Sequence, residues 1–163
     1  MVKLVRFALC SIVAILCAAA SLTAEQQGRT ILTVTGDTGD VQELAFNRQK
    51  LKEIGWETIT TKTPFLEGEH TFSGTPLADL LTSLDIKSGT LKAFALNDYS
   101  VDIPVSDAEE YSVLLALDHN GEHMRVRDRG PIWIIYPMTG SEPLSVDAER
   151  RMVWQLKRLD LSR

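Results

Sequence analysis

The sequence predicts an α+β domain, strand-rich. Short β-branched or alternating runs bounded by Gly, Pro or Asn-Gly recur along it, and helical spacing appears only in brief stretches. No linker, repeat or low-complexity segment interrupts the chain after residue 24, so one compact domain with two or three short helices is expected.

Each element has a local reason. Ile31 to Thr35 (ILTVT) is β-branched and followed by Gly36 and Gly39, which reads as a strand entering a turn. Asn47 is placed to cap a short helix carrying Leu51 and Ile54 and stopped by Gly55. Glu57 to Thr63 alternates and halts at Pro64, and Glu69 to Ser73 is a second extended piece. Thr75 is expected to cap a helix starting at Pro76, with Leu77, Leu80, Leu81 and Leu84 on one face. Leu91 to Leu96, Ser100 to Val105 and Ser112 to Leu117 read as strands, with a helical turn opened by Ser106 between the last two. Asn120-Gly121 marks a hairpin turn returning through Met124 to Val126. Ile132 to Tyr136 is continuously apolar, as a strand buried on both faces would be. Val153 to Leu161 alternates imperfectly and is expected to close a sheet.

The N-terminus reads as an export signal over residues 1–24. Lys3 and Arg6 precede an uncharged apolar run from Phe7 to Leu22, and small residues at 18, 19, 20 and 24 suit cleavage after Ala20 or Ala24. Without an Arg-Arg pair, the general secretory route and a periplasmic location are expected. Residues 25–163 would then form the mature domain. The whole chain has 17 basic and 22 acidic residues; losing Lys3 and Arg6 shifts its net charge from −5 to −7. An acidic domain without a basic tract disfavours nucleic acid as a partner. Both cysteines, Cys10 and Cys17, fall inside the signal, so disulfides and thiolate chemistry are excluded from the mature domain.

Hydrolase elbows, phosphate loops and zinc-protease helices are absent from the sequence. His119 and His123 flank the Asn120-Gly121 turn; with Asp118 and Glu122 nearby they could hold a metal adventitiously, but they read first as solvated turn residues, and His70 in its acidic setting as a surface ion pair, so no metal set is assigned. Asn97, Asp98 and Tyr99 lie between two apolar strands. They suit either a turn or the mouth of a pocket for a polar ligand. Arg125, Arg127 and Arg129, and likewise Arg150 and Arg151, either bind an anion through their guanidinium forks or pair with Asp107, Asp128 and the Glu109-Glu110 turn.

Taken in order, FSGTPLADLL (72–81), ALNDYSVDIP (95–104), LLALDHNGEHMRVRDRGPIWIIYP (114–137) and RMVWQL (151–156) resemble the molybdopterin-binding domain of sulfite oxidase-type oxidoreductases. More closely, the chain is similar to small exported bacterial proteins of that family. The resemblance implies a strand-rich mixed-sheet α+β fold with a pterin-sized groove and molybdopterin as the family's cofactor. It also implies a molybdenum-ligating cysteine near Thr60 or Thr61, where this chain carries only hydroxyls. The expected result is an exported domain that works without molybdenum, binding a small anionic or polar ligand. That ligand would sit in a groove lined by Asn97, Asp98, Tyr99, Arg127, Arg129 and Arg151, and the domain would report to a membrane-bound sensor or transport partner. The alternative is a molybdopterin-dependent oxidoreductase, or a subunit of one, with non-thiolate ligation.

Overall fold

The structure is a computed structural model that describes residues 28–36, 43–138 and 144–162. The segment read as an export signal, with both cysteines, lies outside the described residues. Among the described residues no helix is long and apolar enough to cross a membrane.

Among the described residues, ten strands form two five-stranded sheets. The first sheet contains β1 (Thr30–Gly36), β2 (Glu43–Asn47), β5 (Thr90–Ala95), β6 (Ser100–Pro104) and β10 (Leu156–Ser162), in the order β2-β1-β10-β5-β6. Its β1–β10 pair is parallel and its other pairs are antiparallel, which makes it mixed. The second sheet runs β3 (Glu57–Thr63), β4 (Leu66–Pro76), β7 (Leu114–His119), β8 (Glu122–His123), and β9 (Trp133–Ile135) also pairs with β7. Among the described residues the helices are α1 (Arg48–Ile54), α2 (Leu77–Ser83), α3 (Asp107–Glu110) and α4 (Val146–Arg151). Buried side chains of both sheets join one apolar core.

Several local rules hold as read. Asn47 accepts a hydrogen bond from the Lys50 amide and caps α1, while the Gly55 amide closes it on the Leu51 carbonyl. Leu77, Leu80 and Leu81 bury the inner face of α2. Asn120 and Gly121 both take positive φ, 50° and 80°, the requirement of a tight two-residue hairpin.

Other expectations are corrected. Thr75 does not cap α2; its buried hydroxyl donates to the Leu51 carbonyl at 2.8 Å, tying β4 to α1, and Pro76 holds the cap position without a side-chain bond. Strand β4 is longer than predicted because its tip pairs back on β3 as a hairpin. The hairpin after Asn120-Gly121 returns only through Glu122–His123, and Val126–Asp128 forms a 3-10 turn instead of a strand. Ser112, with φ of 51°, lies outside β7. The closing strand starts at Leu156 because Gln155 takes a left-handed conformation, φ 54°, that ends the alternation of the preceding residues. Strand β2 and helix α4 were not anticipated: α4 buries only Ala148 and gives no apolar stripe to read.

The IWIIY run is buried throughout, as its composition predicts, though only its middle pairs with β7. Its backbone also reaches towards the first sheet. Ile134 donates to the Val153 carbonyl at 2.8 Å, and Leu156 donates to the Ile132 carbonyl at 3.0 Å. This seam joins the two sheets just before β10 begins.

At the β4 irregularity between Ser73 and Gly74, β7 comes so close that a Cβ on Gly74 would overlap the Leu115 carbonyl oxygen. Backbone cannot yield as a flexible side-chain end can. Gly74→Ala is expected to cost about 3 kcal/mol, the upper range for overpacking, and chemical denaturation checks it.

Candidate functional site

A cleft of about 420 Å³ opens where four segments meet: Phe65 in the β3–β4 turn, Ala95 to Tyr99 at the β5–β6 turn, α4, and the Met152 to Trp154 link into β10. Its walls are largely apolar. The Phe65 and Trp154 rings meet edge to face at 5.3 Å and 90°, and both also approach the buried Trp133. Asn97, Tyr99, Glu149 and Arg150 supply the polar rim. Aromatic walls with a few polar groups suit a small, flat organic ligand with a polar edge.

The β5–β6 residues form a turn, and two of them also line the cleft. Asp98 takes a left-handed φ of 65°, and the Asn97 side chain accepts from the Tyr99 amide at 3.2 Å, so these residues make the turn. That turn delivers Asn97 and Tyr99 to the cleft, and the Tyr99 hydroxyl donates to the Arg150 carbonyl at 3.1 Å, bracing the rim against α4. Asp98 points elsewhere and pairs with Lys157 at 2.8 Å; this hydrogen bond, with the lysine charge, holds its carboxyl below the usual range.

The arginines do not gather in this cleft. Arg127 and Arg129 line a separate open depression with His119, Glu122 and His123. Arg125 pairs with Asp128 at 3.0 Å, and Arg127 approaches the same carboxylate at 3.7 Å. Arg129 makes no ion pair among the described residues. Its guanidinium lies 5.1 Å over Trp133 and 5.8 Å over Trp154, so it sits on the far side of the aromatic group that walls the cleft. Its backbone is left-handed, φ 70°, and its carbonyl accepts from the amide of Gln155, itself left-handed.

Arg151 belongs to neither hollow. It donates to Asp107 Oδ2 at 2.9 Å, and the same oxygen accepts from the Tyr136 hydroxyl at 2.7 Å. The ion-pair reading considered for this arginine is therefore the one the structure shows. Burial, followed by the hydrogen bond to Asp107 and its charge, raises the Tyr136 phenol far above its usual range. A tyrosine kept neutral in the fold contributes stability that is complete below its unfolded value near pH 10 and declines above it. The urea midpoint should therefore fall between about pH 9 and about pH 11, and fall less in Tyr136→Phe.

The positions expected for a ligating cysteine carry no molybdenum donor. Thr60 is exposed and lies 3.2 Å from the Thr71 hydroxyl. Thr61 is buried, with its hydroxyl accepting from the Met138 amide at 2.8 Å and donating to the Lys62 carbonyl. The side chain from this hairpin that reaches the cleft is the apolar Phe65. No described residue is a cysteine, and the cleft itself is lined by neither cysteine nor histidine. The donor set does not fit a thiolate-held molybdenum centre.

Phe65, Val146, Glu149 and Trp154 were not selected as site residues from the sequence, and Arg150 was read only as an anion binder or ion-pair partner outside the groove. Phe65, which follows Pro64 in a turn, and Trp154, beside Gln155, were the available signals: large aromatics at places where the chain bends.

The two sheets, the few short helices and the cleft at their seam define a strand-rich domain of the sulfite oxidase type. The chain belongs to the oxidoreductase molybdopterin binding domain family, whose sequence model matches residues 32–141. A similar solved structure is that of the sulfane dehydrogenase SoxCD from Paracoccus pantotrophus, with a TM-score of 0.60 and 22% sequence identity. The match covers 80% of this chain and 37% of that one, so this chain spans well under half of that neighbour. A comparison with curated proteins finds no match.

Proposed function

We propose that this chain is an exported, periplasmic and non-catalytic member of its family. Its Phe65–Trp154 cleft binds a small, flat ligand whose polar or anionic edge meets Asn97, Tyr99 and Arg150. The carrying observation is the exchange of chemistry at the β3–β4 hairpin, where both hydroxyls are engaged or exposed and a phenyl ring faces the cleft. In this reading the cleft serves a ligand other than a thiolate-held metal centre. Arg129 braces the aromatic wall from behind. The domain would pass ligand occupancy to a membrane-bound sensor or transport partner.

Family membership favours a second reading, a molybdopterin-dependent oxidoreductase or a subunit that borrows its cofactor. Molybdenum and pterin content of protein purified from the exported fraction of its host separates the two. Substoichiometric amounts of both are expected, and near-stoichiometric amounts would establish the second reading. The cleft itself is tested by titrating tryptophan fluorescence with pterin-6-carboxylate, a flat anionic probe. Saturable quenching that Trp154→Ala weakens by about 10-fold or more, the loss of roughly 1.4 kcal/mol, supports the assignment. An unchanged affinity in Trp154→Ala removes the cleft from consideration.

A further inference from the structure

All three histidines of the chain lie at one end of the second sheet: His70 on β4, His119 on β7 and His123 on β8. Far from being a solvated turn residue, His119 is half-buried and stacks on the buried Phe72 at 5.0 Å and 11°. His70 is not in a surface ion pair; its Nδ1 lies 2.9 Å from His119 Nε2. That is hydrogen-bond distance. It is also close to the separation of two adjacent ligand nitrogens each about 2.0–2.1 Å from one metal ion.

The other nitrogen of His70, Nε2, lies 2.9 Å from the Glu67 carbonyl, which can only accept. Nε2 therefore carries the proton in the neutral ring and Nδ1 presents its lone pair towards His119. A carbonyl behind one ring nitrogen is the arrangement that orients metal-binding histidines. Glu122 is the cross-strand partner of His119, so its side chain leaves the same face of the sheet. The Glu122 side chain is exposed and makes no hydrogen bond or ion pair among the described residues. His123 is on the opposite face, paired in register with Asp118, and its ring meets Arg48 at 3.1 Å.

We propose that His70 Nδ1, His119 Nε2 and the Glu122 carboxylate bind a divalent transition metal of the imidazole-preferring kind, Zn2+ or Cu2+, with water completing its shell. Among the described residues no group of three ligands is preassembled. The two imidazoles are in place, and Glu122 joins by side-chain rotation at the exposed hairpin end. On binding, His119 moves its proton to Nδ1, so that Nε2 exposes its lone pair. The Arg129 cation opposes a dication here, and the carboxylate of Glu122 offsets it.

Isothermal titration of the intact protein with ZnCl2, and separately with CuSO4, tests this. One site per chain is expected, with Kd on the order of micromolar. His70→Ala should weaken it by at least about 10-fold. Glu122→Gln should weaken it measurably, and His123→Ala should leave it unchanged. Circular dichroism checks the fold of each variant. Should His70→Ala not fold, the exposed Glu122→Gln substitution decides, because an ordinary histidine–histidine hydrogen bond gives it no role. The proposal fails if neither metal gives heat at about 100 times the protein's expected Kd, if affinity survives both His70→Ala and Glu122→Gln, or if His123→Ala abolishes it.

Discussion

Asp107→Ala is expected to lower folding stability by about 3–5 kcal/mol, the usual cost of breaking a buried ion pair from one side. Asp107 Oδ2 is shared by the Arg151 guanidinium and the Tyr136 hydroxyl, and the aspartate side chain is only 5% exposed. Removing it leaves a guanidinium that is 23% exposed and a phenol in the core, both without their acceptor. Because Arg151 reaches some water, the lower end of the range is expected. Asp107→Asn should cost less, since a neutral acceptor remains for Tyr136. Urea unfolding of Asp107→Ala, Arg151→Met and the double variant measures the coupling, and a purely additive double variant would contradict the network. The network fastens α3 to the end of α4, so Asp107→Ala should also loosen the α4 wall of the cleft.

Trp133→Ala is expected to cost about 3–5 kcal/mol and to disrupt the cleft as well. Trp133 is 1% exposed, packs edge to face on Phe72 at 5.5 Å, and donates its indole N–H to the Met152 carbonyl at 3.2 Å. Phe65, Trp154 and the Arg129 guanidinium all rest around the same ring. Its removal opens a core cavity, frees the Met152 carbonyl and takes the backing from two cleft walls. Chemical denaturation reads the stability loss. A pterin-6-carboxylate affinity that persisted in folded Trp133→Ala would show that the walls do not depend on it. Trp133→Phe, which keeps an aromatic body, should recover a large part of the packing but not the hydrogen bond.

How far the sequence could be read depends on whether the cause of each feature is local. The Asn47 cap, the Gly55 stop, the α2 leucines and the Asn120-Gly121 turn depend on neighbours within a few residues, and each was legible. Helix α4 depends on a Ser145 cap and a single buried alanine, too little pattern to stand out. The true start of β10 was hidden because Gln155 adopts a left-handed conformation that its residue type does not advertise. Thr75 looked like a cap because helix starts favour threonine, but a carbonyl 24 residues earlier in the chain takes its hydroxyl. The site follows the same division. Asn97 and Tyr99 could be found as turn residues between strands. The separation of Arg151 from Arg127 and Arg129 could not, because the aspartate that claims Arg151 lies 44 residues away. The facing of Phe65 and Trp154 is likewise a product of tertiary structure.

The seam between Ile132–Ile134 and Val153–Leu156 has a dynamic consequence. Amides bonded across two sheets within a fully apolar run open only when both sheets separate, so they belong among the last to exchange with solvent. Trp154 is mounted between the two bonded residues of that seam. A ligand entering the cleft therefore meets one wall whose ordering entropy was already spent in folding, while Phe65 rides on a hairpin turn of the second sheet. For a ligand bound as proposed, the turn would yield before the seam, and displacement is expected along the β3–β4 hairpin.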